Sequence, residues 1–225
     1  FIRFDRRPLS EIATINPIKP KNEIIKDNLE VSFIPMKNVE EKTGKINLSN
    51  IKKYAEVKKG YTYFRNGDII FAKITPCMEN GKIAILYNLK NKIGFGSTEF
   101  HVIRLYDEYI QEFYFWYLNQ EIFRFDAKRN FKGTAGQVRV PVEYMKNVLV
   151  PIPSNLKEQK QIVAMIEKGM AMADSTERIV DNSLSKLETM RMSVLKDAFE
   201  GKLVPQDPND EPAEKLLERI KVEKN

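Results

Sequence analysis

One face of the stretch from Ser154 to Phe199 keeps a strict hydrophobic rhythm of four, three, four, three. Ile162, Ile166, Gly169, Ala173, Thr176, Val180, Ser183, Leu187, Met190 and Val194 are ten consecutive seam positions without a charge, while Glu158, Lys160, Glu167, Asp174, Arg178, Asp181, Lys186 and Glu188 fall outside the seam. This is the pattern of a coiled-coil helix. At 1.5 Å per residue it spans roughly 65–70 Å, more than the core of a domain made from the remaining chain requires. No other amphipathic segment of comparable length is present to pair with it, so the helix is expected to lie against one from another chain or another half.

Upstream, the pattern changes period. Arg7 to Ala13 reads as a short helix opened by Pro8 and ended before Asn16-Pro17, with Leu9 and Ile12 facing inward, and Pro17, Pro20 and Asn22 mark an extended loop. Apolar and β-branched residues cluster as strands over 31–35 and 61–75, the second broken by a hairpin-like turn at Asn66-Gly67-Asp68. Strands at 82–87 and 100–105 follow, separated by a turn-rich stretch from Asn88 to Ser97. These predict a mostly antiparallel sheet or small barrel. Asp107 is placed to cap a helix with an apolar face of Ile110, Phe113, Tyr114, Tyr117, Leu118 and Ile122, and Trp116 beside it. Such an aromatic stripe reads as core. Val148 to Ile152 is a last strand, and Pro151-Ile152-Pro153 a stiff elbow before the long helix. Gly201 stops that helix, 205–212 is an extended acidic tail, and 214–222 a final short helix. The fold class expected is α+β, with a globular domain over 1–153, the long helix over 154–200 and a tail over 201–225.

Charge separates these parts. Net charge is +6 over 225 residues, yet residues 1–153 carry 25 Lys/Arg against 17 Asp/Glu and residues 154–225 carry 12 against 14. A globule of +8 beside an arm of −2 points to a polyanionic partner for the first and a protein partner for the second. The basic residues concentrate from Arg124 to Arg139, a glycine-punctuated stretch read as a loop whose amides and cations can approach phosphates. Lys73, Thr75 and Lys82 together with Lys132, Thr134, Gln137 and Arg139 form the candidate DNA-facing set, with Gln137 and Arg139 suited to base edges and Lys132 to phosphate.

Catalytic constellations do not emerge. One cysteine, Cys77, and one histidine, His101, cannot by themselves make a zinc site, a disulfide or an oriented Cys–His dyad. Gly81-Lys82 lacks the flanks of a phosphate-binding loop, Gly94-Phe95-Gly96 lacks the strand-turn-helix setting of a nucleotide motif, and Glu200-Gly201-Lys202 caps a helix rather than ending a strand. No apolar run reaches membrane-spanning length and no signal peptide is recognised, so a cytoplasmic protein is expected. The chain opens on Phe1 rather than methionine, as a fragment or a trimmed chain would.

Several blocks together resemble the specificity subunit of type I restriction-modification systems. They are residues 67–77 with Asn80-Gly81-Lys82; Ser97-Thr98-Glu99-Phe100; Gly136-Gln137 with Val138 and Val140; Pro151-Ile152-Pro153 followed by Glu158-Gln159 and Ile162-Val163; and Ser183 through Leu203. The resemblance covers nearly the whole chain and implies a target-recognition domain joined to a spacer helix. Full subunits of that family have two of each, packed antiparallel, and read a bipartite DNA sequence. With one of each, this chain is expected either to dimerise or to be half of a longer chain. The resemblance further implies modification subunits, which bind S-adenosylmethionine and methylate adenine, and a restriction subunit as partners, with no catalytic residue, metal or cofactor here. Two other readings are a coiled-coil adaptor without a DNA role and a solitary nuclease or methyltransferase.

The seam also suggests a register. Antiparallel pairing about residue 178 sets Ile162 against Val194, Ile166 against Met190, Gly169 against Leu187, Ala173 against Ser183 and Thr176 against Val180. A parallel pairing stacks Gly169 on itself and then Ala173 on itself, leaving underfilled layers. Met165, Met172, Ile179 and Leu195 are apolar outside the seam and expected to meet protein partners.

Overall fold

The computed structural model describes residues 4–20, 24–134, 136–205, 207 and 209–224. It is an α+β protein of mostly antiparallel sheets and one long helix. Two compact units divide it, Phe1–Ile166 and Glu167–Asn225. The division falls inside the helix rather than at the 153 elbow, because the first turns of the helix pack on the globule through the buried Gln159 and Val163. Asn22 of the expected loop, and Gln206 and Pro208 of the expected tail, lie outside the described residues.

In the first unit, β1 (Asp5–Pro8), α1 (Leu9–Ile12) and β2 (Ala13–Ile15) occupy the segment expected to be a single short helix. Leu9 and Ile12 are fully buried as anticipated. The flanking strands exist because partners far along the chain claim them: β1 pairs with β10 (Leu149–Ile152), and β2 with β9 (Phe100–Leu105).

Two four-stranded sheets follow. One has the order β2-β9-β6-β7, with β6 Ile69–Ala72 and β7 Ile83–Ile85; the other has β4-β3-β8-β5, with β3 Glu30–Ile34, β4 Ile51–Lys53, β5 Thr62–Arg65 and β8 Ile93–Gly96. The turn at Asn66-Gly67-Asp68 is present, with Gly67 at φ +85°, but it joins two sheets rather than closing a hairpin. Asp68, only 1% exposed, holds that crossing. Its carboxylate accepts the Arg65 amide at 2.7 Å and a bidentate pair of bonds from Arg104, each 2.7 Å. β8 lies in the stretch expected to be turns. It runs parallel to β3, and its glycines are required by close approach: a Cβ at Gly94 would sit 2.3 Å from the Phe64 ring, and one at Gly96 2.2 Å from the Ile34 carbonyl oxygen.

The expected aromatic helix is two helices, α3 (Gln111–Leu118) and α4 (Glu121–Arg129). Phe113, Tyr114 and Leu118 are buried core, whereas Ile122 belongs to α4 and is exposed. Asp107 does not cap α3, which has no side-chain cap. The Gln159 side-chain oxygen instead accepts the N–H of Ile110, the residue before the helix, at 2.9 Å while its amide donates to the Glu108 carbonyl. α5 (Val142–Asn147) then leads into β10.

The long helix α6 runs Leu156–Phe199. Asn155 accepts the Glu158 amide at 3.0 Å and Glu158 reaches back to the Ser154 amide, a reciprocal N-terminal cap. At the other end Gly201 has φ +70°, and Lys202 N–H to Asp197 O with Gly201 N–H to Ala198 O close a Schellman motif. In the second unit Val180, Leu187, Met190 and Val194 of the seam are exposed, and so is Ile179 on the outer face. α7 (Ala213–Glu223) carries Leu216, Leu217 and Ile220 on one stripe.

Candidate nucleic-acid interface

Of the stretch from Arg124 to Arg139, only the second half is a loop. α4 extends to Arg129, and Arg124 is buried with its guanidinium bonded to the Asn119 side chain and carbonyl. From Lys132 the chain makes a narrow hairpin. Lys132 and Arg139 exchange both backbone hydrogen bonds, at 3.0 and 2.9 Å, and Gln137 N–H reaches Thr134 O at 3.1 Å inside the tip. Gly133 and Gly136 have φ of +133° and +85°, and a Cβ on Gly133 would press to 2.8 Å from the Gln137 carbonyl oxygen, so this tip needs glycine there.

The hairpin lies along the chain just past β6. Val140 N–H donates to Lys73 O at 2.8 Å and Thr75 N–H to Val138 O at 3.2 Å. Two residues of β9 and its approach fix it from behind. Glu99 takes Arg139 in a bidentate pair, Nε and Nη2 each at 2.8 Å, and Arg139 Nη1 donates to Gln137 O at 2.8 Å. His101, 3% exposed, donates from Nε2 to Val140 O at 2.8 Å and accepts at Nδ1 from the Asn16 amide at 3.1 Å. That arrangement is the neutral imidazole, and burial depresses its pKa from the ordinary 6.5 to about 4. The Arg139 bonds hold the Glu99 carboxyl below the usual range. Burial raises Glu79, but bonds from Thr75 and Lys128 outweigh it and leave that carboxyl lowered as well.

Lys73, Thr75, Lys132, Thr134, Gln137 and Arg139 are thus brought together. Their availability differs. Lys132, Thr134 and Gln137 are exposed, and among the described residues no carboxylate stands within ion-pair range of Lys73 or Lys132. The Thr75 hydroxyl is committed to Glu79, and Glu79 also pairs with Lys128 at 3.0 Å. Lys82 is not part of the group: its ammonium donates to the Val39 and Met36 carbonyls at 3.0 and 3.4 Å, fastening the 36–47 loop around a mixed-charge groove of about 720 Å³. Glu99, His101 and Asn16 were not singled out from sequence as part of this site. Only Glu99 had a signal, as part of the Ser97–Phe100 block. Among the described residues no group of three or more His, Cys, Asp or Glu could hold a metal ion, and no helix is long and apolar enough to cross a membrane.

Residues 3–181 match the family model of the type I restriction modification DNA specificity domain. The chain is 38% identical to the type I restriction enzyme EcoAI specificity subunit of Escherichia coli, with 96% of this chain and 43% of that protein aligned. It is 36% identical to the EcoEI specificity subunit of the same species, over the same shares. The crystal structure of the HsdS subunit from Thermoanaerobacter tengcongensis superposes with a TM-score of 0.70 at 21% identity, over 93% of this chain and 52% of that one, which is a likeness of fold. The chain spans less than half the length of these curated relatives.

Proposed function

Since the chain belongs to the family of type I restriction modification DNA specificity domains, we propose that it reads a double-stranded DNA sequence on behalf of a restriction-modification complex and catalyses nothing itself. The observation that carries this reading is the 132–139 hairpin. It presents exposed donors on a backbone fixed by Glu99 and His101, and it lies in the part of the chain with net charge +8. Lys132 and Lys73 serve as phosphate contacts, while the Gln137 amide, with the Thr134 hydroxyl beside it, is the base-reading group; an amide meets adenine bidentately in the major groove. Arg139, with its charge paired to Glu99 and a third donor on the Gln137 carbonyl, supports the hairpin rather than contacting DNA.

The long helix supplies the rest of the assembly. Two copies of α6 pair antiparallel about residue 178, or α6 pairs with a sibling helix of a longer chain, so that two recognition domains read half-sites across an unread gap. In the homodimer those half-sites are inverted copies of one another. Modification subunits, carrying S-adenosylmethionine, and a restriction subunit dock along the helix, where Met165, Met172, Ile179 and Leu195 stand exposed outside the seam. The complex works on DNA in the cytoplasm. A gel shift on random-sequence duplexes across a salt series tests the recognition role. Affinity is expected to fall steeply with salt, and Lys132→Glu to weaken binding by an order of magnitude in a folded chain. Salt-independent binding, or a Lys132→Glu chain that binds as tightly as the parent, would remove this face from the interface.

A further inference from the structure

Glu99 is a carboxylate beside a surface read as facing a polyanion, where an acidic group is expected to be a liability. Its geometry gives it a use. An arginine offers five N–H donors on a planar fork, and a free one beside a DNA-facing loop binds any phosphate or takes guanine O6 and N7 bidentately. Arg139 has three of its five donors engaged and its charge paired. Nε and one Nη2 hydrogen go to Glu99, one Nη1 hydrogen goes to the Gln137 carbonyl, and the backbone of Arg139 is locked to Lys132. The Glu99 backbone is itself tied in, its carbonyl accepting Lys73 N–H at 2.9 Å.

We propose that Glu99 is a specificity-determining residue that withholds Arg139 from DNA, so that sequence is read by Gln137 and not overridden by an indiscriminate guanidinium. The inference rests on the hairpin being the DNA-facing element. Discrimination is raised here by blocking a wrong contact as well as by making a right one. Glu99 touches no DNA; it acts through Arg139. The low proton affinity of its carboxyl keeps the pair intact at neutral pH.

A simple structural staple and a withheld arginine predict opposite signs. In gel shifts with the full chain on random-sequence duplexes, Glu99→Gln is expected to raise affinity several-fold at low salt. It should also steepen the dependence of log affinity on log salt by about one, the signature of one more phosphate contact. Both gains should vanish in the double variant Glu99→Gln/Arg139→Gln, which should bind as the parent does. Lys132→Glu is run alongside. If it weakens binding while a folded Glu99→Gln binds no better than the parent, the hairpin reading stands and the role of Glu99 is overturned; a gain that survives without Arg139 overturns it too. If Lys132→Glu has no effect, the hairpin reading fails and takes this proposal with it. Should Glu99→Gln fail to fold, the double variant decides, an order-of-magnitude loss of affinity counting against the proposal.

Discussion

Leu187→Ala tests the paired helix on its least ambiguous layer. In the antiparallel register Leu187 faces Gly169, which has nothing within 4 Å of the position its Cβ would take and no side chain to fill a gap. Leu187 is 59% exposed. Full burial of a leucine is worth about 1.5–3 kcal/mol, so covering that share returns about 1–1.8 kcal/mol per copy. A two-fold axis presents the layer twice, giving about 2–3.5 kcal/mol per dimer, or about 30- to 300-fold in dissociation constant. A void left against Gly169 adds to the loss. Sedimentation equilibrium over a concentration series measures it directly, and thermal unfolding of the globule serves as control. The monomer should be unaffected, because the side chain removed is on its surface. A dissociation constant that does not move, or a chain already monomeric at micromolar concentration, would refute the reasoning. Register has its own check: with Cys77→Ala, the pair Ile162→Cys and Val194→Cys should cross-link between chains under mild oxidation.

Three further outcomes follow from the globule. His101 is held neutral, with its folded pKa near 4 against an ordinary 6.5, so its contribution is complete above pH 6.5 and is lost as pH falls through 4. That contribution amounts to about 3 kcal/mol; His101→Gln should flatten the pH dependence of urea unfolding across this window. Asp68→Ala strands the Arg104 guanidinium and the Arg65 amide. Because Arg104 is a quarter exposed, the cost should fall below that of a fully buried pair, at about 2 kcal/mol by chemical denaturation. Gly96→Ala drives a methyl into the Ile34 carbonyl and should cost about 2 kcal/mol or more, read the same way.

What could be read in the sequence was what local periodicity encodes. The seam of α6 and its bounds were visible because heptad spacing, the proline elbow at 151–153 and Gly201 are all signals between near neighbours in sequence; the Asn155–Glu158 cap, equally local, went unread. β8 was hidden because its two glycines look like turn residues, and only the approach of Phe64 and Ile34 explains them. β1 and β2 were hidden because their partners lie more than eighty residues away. The proposed interface was half legible. Clustered charge led to Lys132 and its neighbours as candidates, but charge does not say which cations are already satisfied. Lys82 and Arg139 look alike in sequence, one bonded to loop carbonyls and the other to Glu99. Gln159 shows the same limit: its bond to the Ile110 amide, which pins the approach to α3, joins residues 49 apart.

The central claim is that this chain chooses a DNA sequence for enzymes it does not contain. Mapping adenine methylation genome-wide, in cells carrying the modification partner with and without this chain, tests it most directly. The account predicts a single bipartite motif, methylated only when the chain is present, with inverted half-sites if α6 pairs with its own copy. The same methylation pattern in cells lacking the chain would contradict it.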